Sequence, residues 1–240
     1  MKAVILAGGK GTRLFPLTTV TPKPLIMIRG RPVIRYIIDH ILESGITEVI
    51  LCHSDQHEDH FRNALGNGNH IGVSIIYSSA PAELATSGRI LRCAPILEQD
   101  EDFLIYYADI LTRFPLRDLL MLHGSTRNDV MCTLAVSDYK ILDVGAVKVG
   151  ASDRIEEFIE KPMMRQVSSY KVNIGIAACN SGILQFCRDD WDLFGDVVPA
   201  VLQLGKRVAF KLFQEPFVDI GTIAGLEKAS DLVKTLEVAL

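Results

Sequence analysis

A stretch of small and cationic residues near the start of this 240-residue chain has the make-up of a phosphate-binding turn. Gly8, Gly9, Lys10, Gly11, Thr12 and Arg13 follow the apolar run Ala3–Ala7, and Lys23 comes shortly after. Glycines let a backbone approach a ligand closely and turn its N–H groups toward phosphate oxygens. Lys10, Arg13 and Lys23 add positive charge around the same turn. A strand, a glycine-rich loop and converging cations read as a triphosphate site. The loop is not a dinucleotide fingerprint, because the third glycine is missing at its required offset, and it is not a P-loop, because no Gly-Lys-Ser/Thr stands in the required place. Other chemistry-bearing residues also follow apolar runs: Asp109 after FLIYYA, Glu160-Lys161 after RIEEFI, Asn173 and Gly175 within YKVNIGIAAC, and Asp219 within FVDIGT. Taken singly, an Asp after a strand is as readily a helix cap or a turn residue.

Placing these residues together requires a particular scaffold. Apolar runs at Lys2–Ala7, Glu48–Cys52, Val73–Tyr77, Phe103–Tyr107 and Val130–Val136 read as buried strands. Segments with helical spacing alternate with them at Pro32–Glu43, Gln56–Leu65, Thr86–Leu97 and Pro115–His123. This alternation predicts an α/β fold with a mixed, mostly parallel central sheet flanked by helices. The second half is less regular. Val144–Val149 and Arg154–Ile159 read as paired strands, Tyr170–Ala178 and Val208–Phe213 as further strands, and Asp196–Leu204 and Thr222–Val238 as helices. No repeat and no linker composition is present, so the expectation is one domain over 1–240 without an appended β-helix. In open α/β sheets ligands bind beyond the carboxyl ends of the strands, which is where the polar residues above fall.

Composition narrows the classes of function. Hydrophobic residues make up 48% of the chain, too many for a disordered protein. A net charge of −4 argues against a general nucleic-acid surface, although a few cations can still converge on a phosphate. The five cysteines form no CxxC pair and read as buried reduced thiols. MKAVILAGG is too short for a signal peptide, and no apolar run is long enough to span a bilayer. The expectation is a cytoplasmic protein without a membrane partner. His53, His57 and His60 read as solvated surface rather than a metal site, and Trp191 with Phe194 as packing beneath a helix start.

The string GGKGTRLFPLT…TPKPL resembles the signature of the sugar-1-phosphate nucleotidyltransferases. ADIL, FIEKP, VNIG and VDIGT resemble, in order, that family's later motifs, so the resemblance covers nearly the whole chain. It implies a Rossmann-like, glycosyltransferase-A-like fold. It also implies a reaction in which a sugar 1-phosphate oxygen attacks the α-phosphorus of a nucleoside triphosphate and releases pyrophosphate. Both reactants are anions, so positioning and charge neutralisation must supply the rate. The roles implied are Mg²⁺ held by Asp109 and Asp219, Arg13 on the leaving pyrophosphate and Lys23 on phosphate at the reacting centre. Arg13, Lys23 and Asp109 form the catalytic set. Leu6, Ala7, Gly8, Gly9, Gly11, Thr12, Ser87 and Gly88 bind the nucleotide. Lys161 holds the sugar phosphate, and Glu160, Asn173 and Gly175 line the sugar site. Family members are often dimers or tetramers, so a homo-oligomer is implied as an option.

Ala82–Gly88 resembles the family's nucleobase loop, usually PLGTAG, with Ala85 in place of glycine. Ala108 likewise stands for the glycine before the aspartate, and Ile223 for a common proline. The two alanines narrow backbone freedom near base and ribose. Glu83 is a candidate acceptor for the two donors of guanine, which favours GTP with a mannose- or heptose-type 1-phosphate. TTP or UTP with glucose 1-phosphate follows closely, and Glu83 is equally readable as a solvated surface residue. A choline-phosphate cytidylyltransferase shares the GGKGTRL…PK pattern, but FIEKP and VNIG favour a sugar. A non-catalytic regulatory subunit of the same fold would tend to lose the carboxylates and cations that are present here.

Overall fold

The computed structural model describes residues 1–97, 100–126, 128–137, 146–150, 154–159 and 171–237. Its centre is a parallel sheet built on β1 (Lys2–Leu6). β1 pairs in parallel with β4 (Glu48–Ser54) on one side and with β6 (Asp102–Tyr107) on the other. β5 (Ser74–Ala80) extends the sheet beyond β4, again in parallel. The chain thus leaves β1 in one direction, returns, and resumes on its other edge. The crevice between β1 and β6 is the topological switch point of the sheet, the usual ligand site of such folds.

Beyond β6 the sheet changes direction. β11 (Lys171–Asn180) runs antiparallel to β6, to β8 (Val130–Ser137) and to β9 (Ala146–Val149). β9 pairs antiparallel with β10 (Ile155–Ile159), and β12 (Arg207–Phe213) pairs in parallel with β8. The sheet is therefore mixed and mostly parallel near the switch point, as the alternation of segments predicts.

Both faces are covered, which explains why the central strands read as unbroken apolar runs. Ala3 and Ile5 of β1 belong to one buried cluster, and Val4 and Leu6 to the other. The first face receives α1 (Val33–Glu43) through Val33, Ile34, Ile37, Ile38 and Ile41, all fully buried. Each such side chain contributes roughly 1.5–3 kcal/mol of transfer free energy. α2 (Glu58–Leu65) covers the same face with Phe61 and Leu65. α3 (Thr86–Leu97) covers the second face with Ile90, Cys93 and Leu97. α4 (Leu116–Thr126) and α6 (Ile223–Glu237) join the first face. α5 (Val198–Gln203) joins the second, entered through a π turn at Leu193–Val197.

His53 departs from expectation. Instead of lying on a solvated surface it is fully buried in β4, with the rings of Phe61 and Tyr77 at 5.9 and 6.0 Å. β4 extends two residues beyond the apolar run, so the histidine is carried into the core beneath α2. His57 and His60 remain near the surface, and among the described residues no group of three or more metal-ligating side chains forms. The five cysteines are free and buried. Trp191 packs partly buried against the second-face cluster. Among the described residues no helix is long and apolar enough to cross a membrane.

Four short strands escape the sequence pattern. β2 (Met27–Ile28) and β3 (Arg31–Pro32) make a small hairpin. β7 (Ile110–Thr112) pairs antiparallel with β13 (Phe217–Asp219), so two distant segments meet beside the switch point.

Candidate active site

The strand ends converge first through backbone pairing. Ala7 N donates to Cys52 O at 2.7 Å and Ala108 N to Leu6 O at 3.1 Å, carrying the ladders past β1 into the loops. Ser54 Oγ donates to Gly8 O at 2.9 Å and anchors the start of the glycine-rich loop. Gly11 has φ of +62°, a left-handed conformation that a side chain would strain, and its carbonyl accepts from Leu14 N and Thr18 Oγ. The loop therefore turns sharply into a short 3₁₀ segment, Thr12–Leu14, leaving Thr12 and Arg13 exposed.

Asp109 and Asp219 meet because of the β7–β13 ladder. Asp219 is in register with Ile110, and Ile220 N donates to Asp109 O at 2.9 Å. Lys23 reaches the same point from the 3₁₀ turn Lys23–Leu25, its Nζ 2.5 Å from Asp109 Oδ2. Arg13 closes the group. A Cβ built on Gly221 would lie 2.7 Å from Arg13 Nη2 and 2.8 Å from Asp219 Oδ1, so the guanidinium and the carboxylate flank the same glycine. Gly221 N donates to Asp219 Oδ1 at 2.6 Å. Burial, and then the neighbouring Asp109 charge, raise the Asp219 carboxyl above the usual carboxylate value; the Gly221 N–H, Lys23 and Arg13 partly offset this. Two cations and two carboxylates from four separate segments thus share one end of the crevice.

The crevice is a cleft of about 290 Å³, lined among others by Leu6, Ala7, Gly8, Gly9, Lys23 and Asp109. Its far wall is the loop before α3. Behind it, in the first turn of α3, Ser87 is fully buried, its hydroxyl donating to Arg188 O and accepting from Arg188 N, both at 2.8 Å. A Cβ on Gly88 would fall 2.5 Å from Asp189 O. Both residues clamp the start of α3 to the 188–191 segment. Glu83 is exposed and does not line the cleft. Ala85 and Ala108 both line it, and neither takes the positive φ that only glycine adopts freely, so the two departures from the motif are accommodated without strain.

Asn173 is buried in β11, and its Oδ1 accepts from Gly175 N at 3.3 Å. Gly175 has φ of +76°, and a Cβ there would press on Ile110 and Tyr107, the residues bracketing Ala108-Asp109. Between the pairs Asn173–Val136 and Ala177–Leu134, three residues of β11 lie opposite one of β8, so the motif forms a bulge beside the crevice. Glu160 and Lys161 lie outside the described residues.

Several groups at the cleft went unread in the sequence. Thr86 Oγ donates to Asp192 Oδ2 at 2.7 Å and accepts from Leu193 N and Tyr107 OH. Asp192 Oδ1 also caps the following turn through Phe194 N and Gly195 N. Arg89, one turn into α3, is buried against the loop. A lone arginine on the apolar face of a helix is the one signal that could have pointed to it.

An open α/β sheet with a glycine loop, paired carboxylates and cations at its switch point defines a class, the phosphate-handling α/β proteins. Within that class the chain belongs to the nucleotidyl transferase family, which it matches over residues 2–235. It is 30% identical to the mannose-1-phosphate guanylyltransferase catalytic subunit beta of Danio rerio over 224 residues, covering 92% of this chain and 61% of that relative. The chain thus spans less than two thirds of that relative's length. A Bacillus anthracis structure assigned as a glucose-1-phosphate thymidylyltransferase superposes with a TM-score of 0.85 at 22% identity, covering 97% of this chain and 94% of the other. A UDP-glucose pyrophosphorylase complexed with UDP-glucose superposes at 0.82 with 20% identity, covering 98% of both. At these identities the structures speak for the fold.

Proposed function

We propose that this chain is a sugar-1-phosphate nucleotidyltransferase that forms a nucleoside diphosphate sugar and pyrophosphate, with GTP and a mannose- or heptose-type 1-phosphate as its preferred pair. The observation that carries the reading is the meeting of Arg13, Lys23, Asp109 and Asp219 beside a glycine loop at the switch point. The family supports the reaction type, and relatives named as mannose-1-phosphate guanylyltransferases support the substrate pair.

Asp109 and Asp219 suit Mg²⁺. Their donors are hard carboxylate oxygens, and the Asp109 charge beside Asp219 makes ionisation of the latter less favourable, which a cation relieves. Mg²⁺ usually takes one or two carboxylates and completes its shell with substrate phosphates and water. When bound it would neutralise charge on the phosphate oxygens. The chain's own residues do the rest. The Gly8–Thr12 loop holds the triphosphate from its backbone side. Arg13 takes up charge on the departing pyrophosphate. Lys23, oriented by Asp109, neutralises phosphate where the two anions approach. A sugar phosphate oxygen then attacks the α-phosphorus, and the bond to the β-phosphate oxygen breaks. No proton transfer and no protein nucleophile is required. Asn173 and the Gly175 bulge are assigned to the sugar, and the resemblance of FIEKP to the family's sugar-phosphate motif assigns Glu160 and Lys161 to the same substrate. We read residues 1–240 as one catalytic domain acting without nucleic acid or membrane.

Pyrophosphate release with Mg²⁺ tests the proposal, with GTP, TTP, UTP, CTP and ATP each paired with a panel of sugar 1-phosphates and with phosphocholine. Release with GTP and mannose or heptose 1-phosphate is expected. Release with CTP and phosphocholine alone would overturn it, as would a folded protein that binds nucleotide and turns over none of the pairs.

A further inference from the structure

Arg89 holds a position that its structural bonds leave unfinished. It is only 4% exposed, on the second turn of α3. Nε donates to Leu84 O at 3.1 Å and Nη2 to Ala82 O at 3.2 Å, tying the guanidinium to the loop before the helix. Nη1 is buried and has no hydrogen-bond partner among the described residues. No carboxylate of the described residues pairs with the guanidinium. Nη1 lies 2.0 Å from where a Cβ on Gly8 would sit, so it presses against the glycine loop in a space that only a glycine leaves open. Arg89 lines the same cleft as Leu6 and Ala7.

A buried cation with idle donors is unfavourable unless a ligand completes it. The completing group must accept hydrogen bonds, because a guanidinium only donates. The cations already gathered at the phosphate end of the cleft, Arg13 and Lys23, sit with Asp219 and Asp109. Arg89 instead is held by the carbonyls of Ala82 and Leu84 and shares the cleft with Gly8 and the apolar residues Leu6 and Leu84, a setting suited to a flat base.

We infer that Arg89 selects the nucleotide by donating from Nη1 to the keto oxygen of the base, O6 of guanine, or O4 of uracil or thymine. This rests on the reading that the cleft takes a nucleoside triphosphate. Adenine presents an amino group at the matching position, so donor would face donor. Arg89 is then a specificity-determining residue whose loss changes the ratio between bases.

The test measures binding of GTP, UTP, ATP and 2-aminopurine riboside triphosphate, which lacks guanine's O6 and with it the N1–H, by titration calorimetry; the part of the GTP preference that depends on Arg89 isolates O6. Pyrophosphate release is read in parallel. Wild-type protein is expected to bind a keto nucleotide about tenfold to a hundredfold more tightly than ATP, and GTP more tightly than its O6-less analogue by a similar factor. In Arg89→Met, which keeps a buried stem without donors, both ratios are expected to fall to within about threefold, with the KM for sugar 1-phosphate unchanged. If Arg89→Met does not fold, Arg89→Gln and the wild-type comparison of GTP with the analogue decide the matter. A variant that weakens all nucleotides equally overturns the inference, since the guanidinium then meets phosphate or only supports the loop. A wild-type protein indifferent to the keto oxygen in both GTP and UTP, or preferring ATP, also overturns it. Keto-selective binding that depends on Arg89 without any turnover upholds this inference and removes the proposed function instead.

Discussion

Asp109 and Asp219 carry the proposed chemistry, yet their surroundings differ. Asp109 is paired with Lys23 at 2.5 Å, whereas Asp219 is held by a backbone N–H and pushed up by burial and by Asp109. Asp109→Ala is expected to lower pyrophosphate release by about a thousandfold or more while the far-UV circular dichroism stays that of the wild type. Near-normal turnover would remove Asp109 from the site. Asp219 adds a pH dependence of definite sign. A carboxyl with a raised folded pKa binds its proton more tightly in the native state than in the unfolded chain, so its contribution to stability is fullest below the usual value of 3.8 and is lost as pH rises through the folded pKa. At pH 7 the ionised side chain therefore destabilises the fold. Asp219→Asn, which keeps an acceptor for Gly221 N, is expected to raise the melting temperature at pH 7 and to abolish turnover. An unchanged or lower melting temperature in a folded variant would contradict the burial argument. Mg²⁺ should raise the wild-type melting temperature more than that of the variant.

The elements that position these residues range from obvious to silent in the sequence. α1 and α3 have long apolar periodicity and appear within a residue of expectation. The ladder joining Asp109 to Asp219 does not, because Ile110–Thr112 and Phe217–Asp219 are each three residues long and become strands only by finding each other. Similarly, α5 was expected from Asp196 but begins at Val198, after a π turn capped by Asp192. The cleft wall beside α3 depends on the close approach of that helix to the 188–191 segment. Gly88→Ala would push a methyl group toward Asp189 O and Cα, at 2.5 and 2.7 Å, where backbone rather than a flexible side chain must yield. We expect a loss of roughly 1–3 kcal/mol in urea unfolding. A rise in nucleotide KM should exceed any rise in the KM for sugar 1-phosphate. Equal stability would mean that the two segments separate freely.

Across the molecule, two covered sheet faces leave little room for charge, and the buried polar groups report on that. His40 lies in the first-face core with Nε2 2.7 Å from Phe114 O and Nδ1 3.1 Å from Tyr106 OH. The carbonyl requires a donor, so Nε2 carries the proton and Nδ1 accepts from the tyrosine. Burial holds the imidazole pKa below 6.5, opposed by the Phe114 carbonyl and Glu43 and assisted by Arg113. Below pH 6.5 the unfolded chain takes up a proton that the native site refuses, so stability is complete above that value and falls as pH drops toward the folded pKa. Urea midpoints are expected to be lower at pH 5 than at pH 8, with a smaller difference in His40→Gln. An identical difference in that variant would assign the effect to other groups.

Local chemistry determined much of this protein. Glycines and cations after an apolar strand mark a phosphate loop without any knowledge of the fold, and alternating periodicities require a sheet covered on both faces. Gly8 through Arg13 and Lys23 were therefore legible from local chemistry, whereas Asp109 and Asp219 joined the candidate set only through the family resemblance of their motifs. Tertiary structure decided which of them meet and which neighbours join them. The meeting of Asp109 with Asp219 depends on a two-strand ladder with no local signature, and the burial of His53 on how far β4 extends under α2. The aim of Arg89 at Gly8 depends on how α3 lies across the end of β1, a matter of packing between segments that no spacing along the chain encodes.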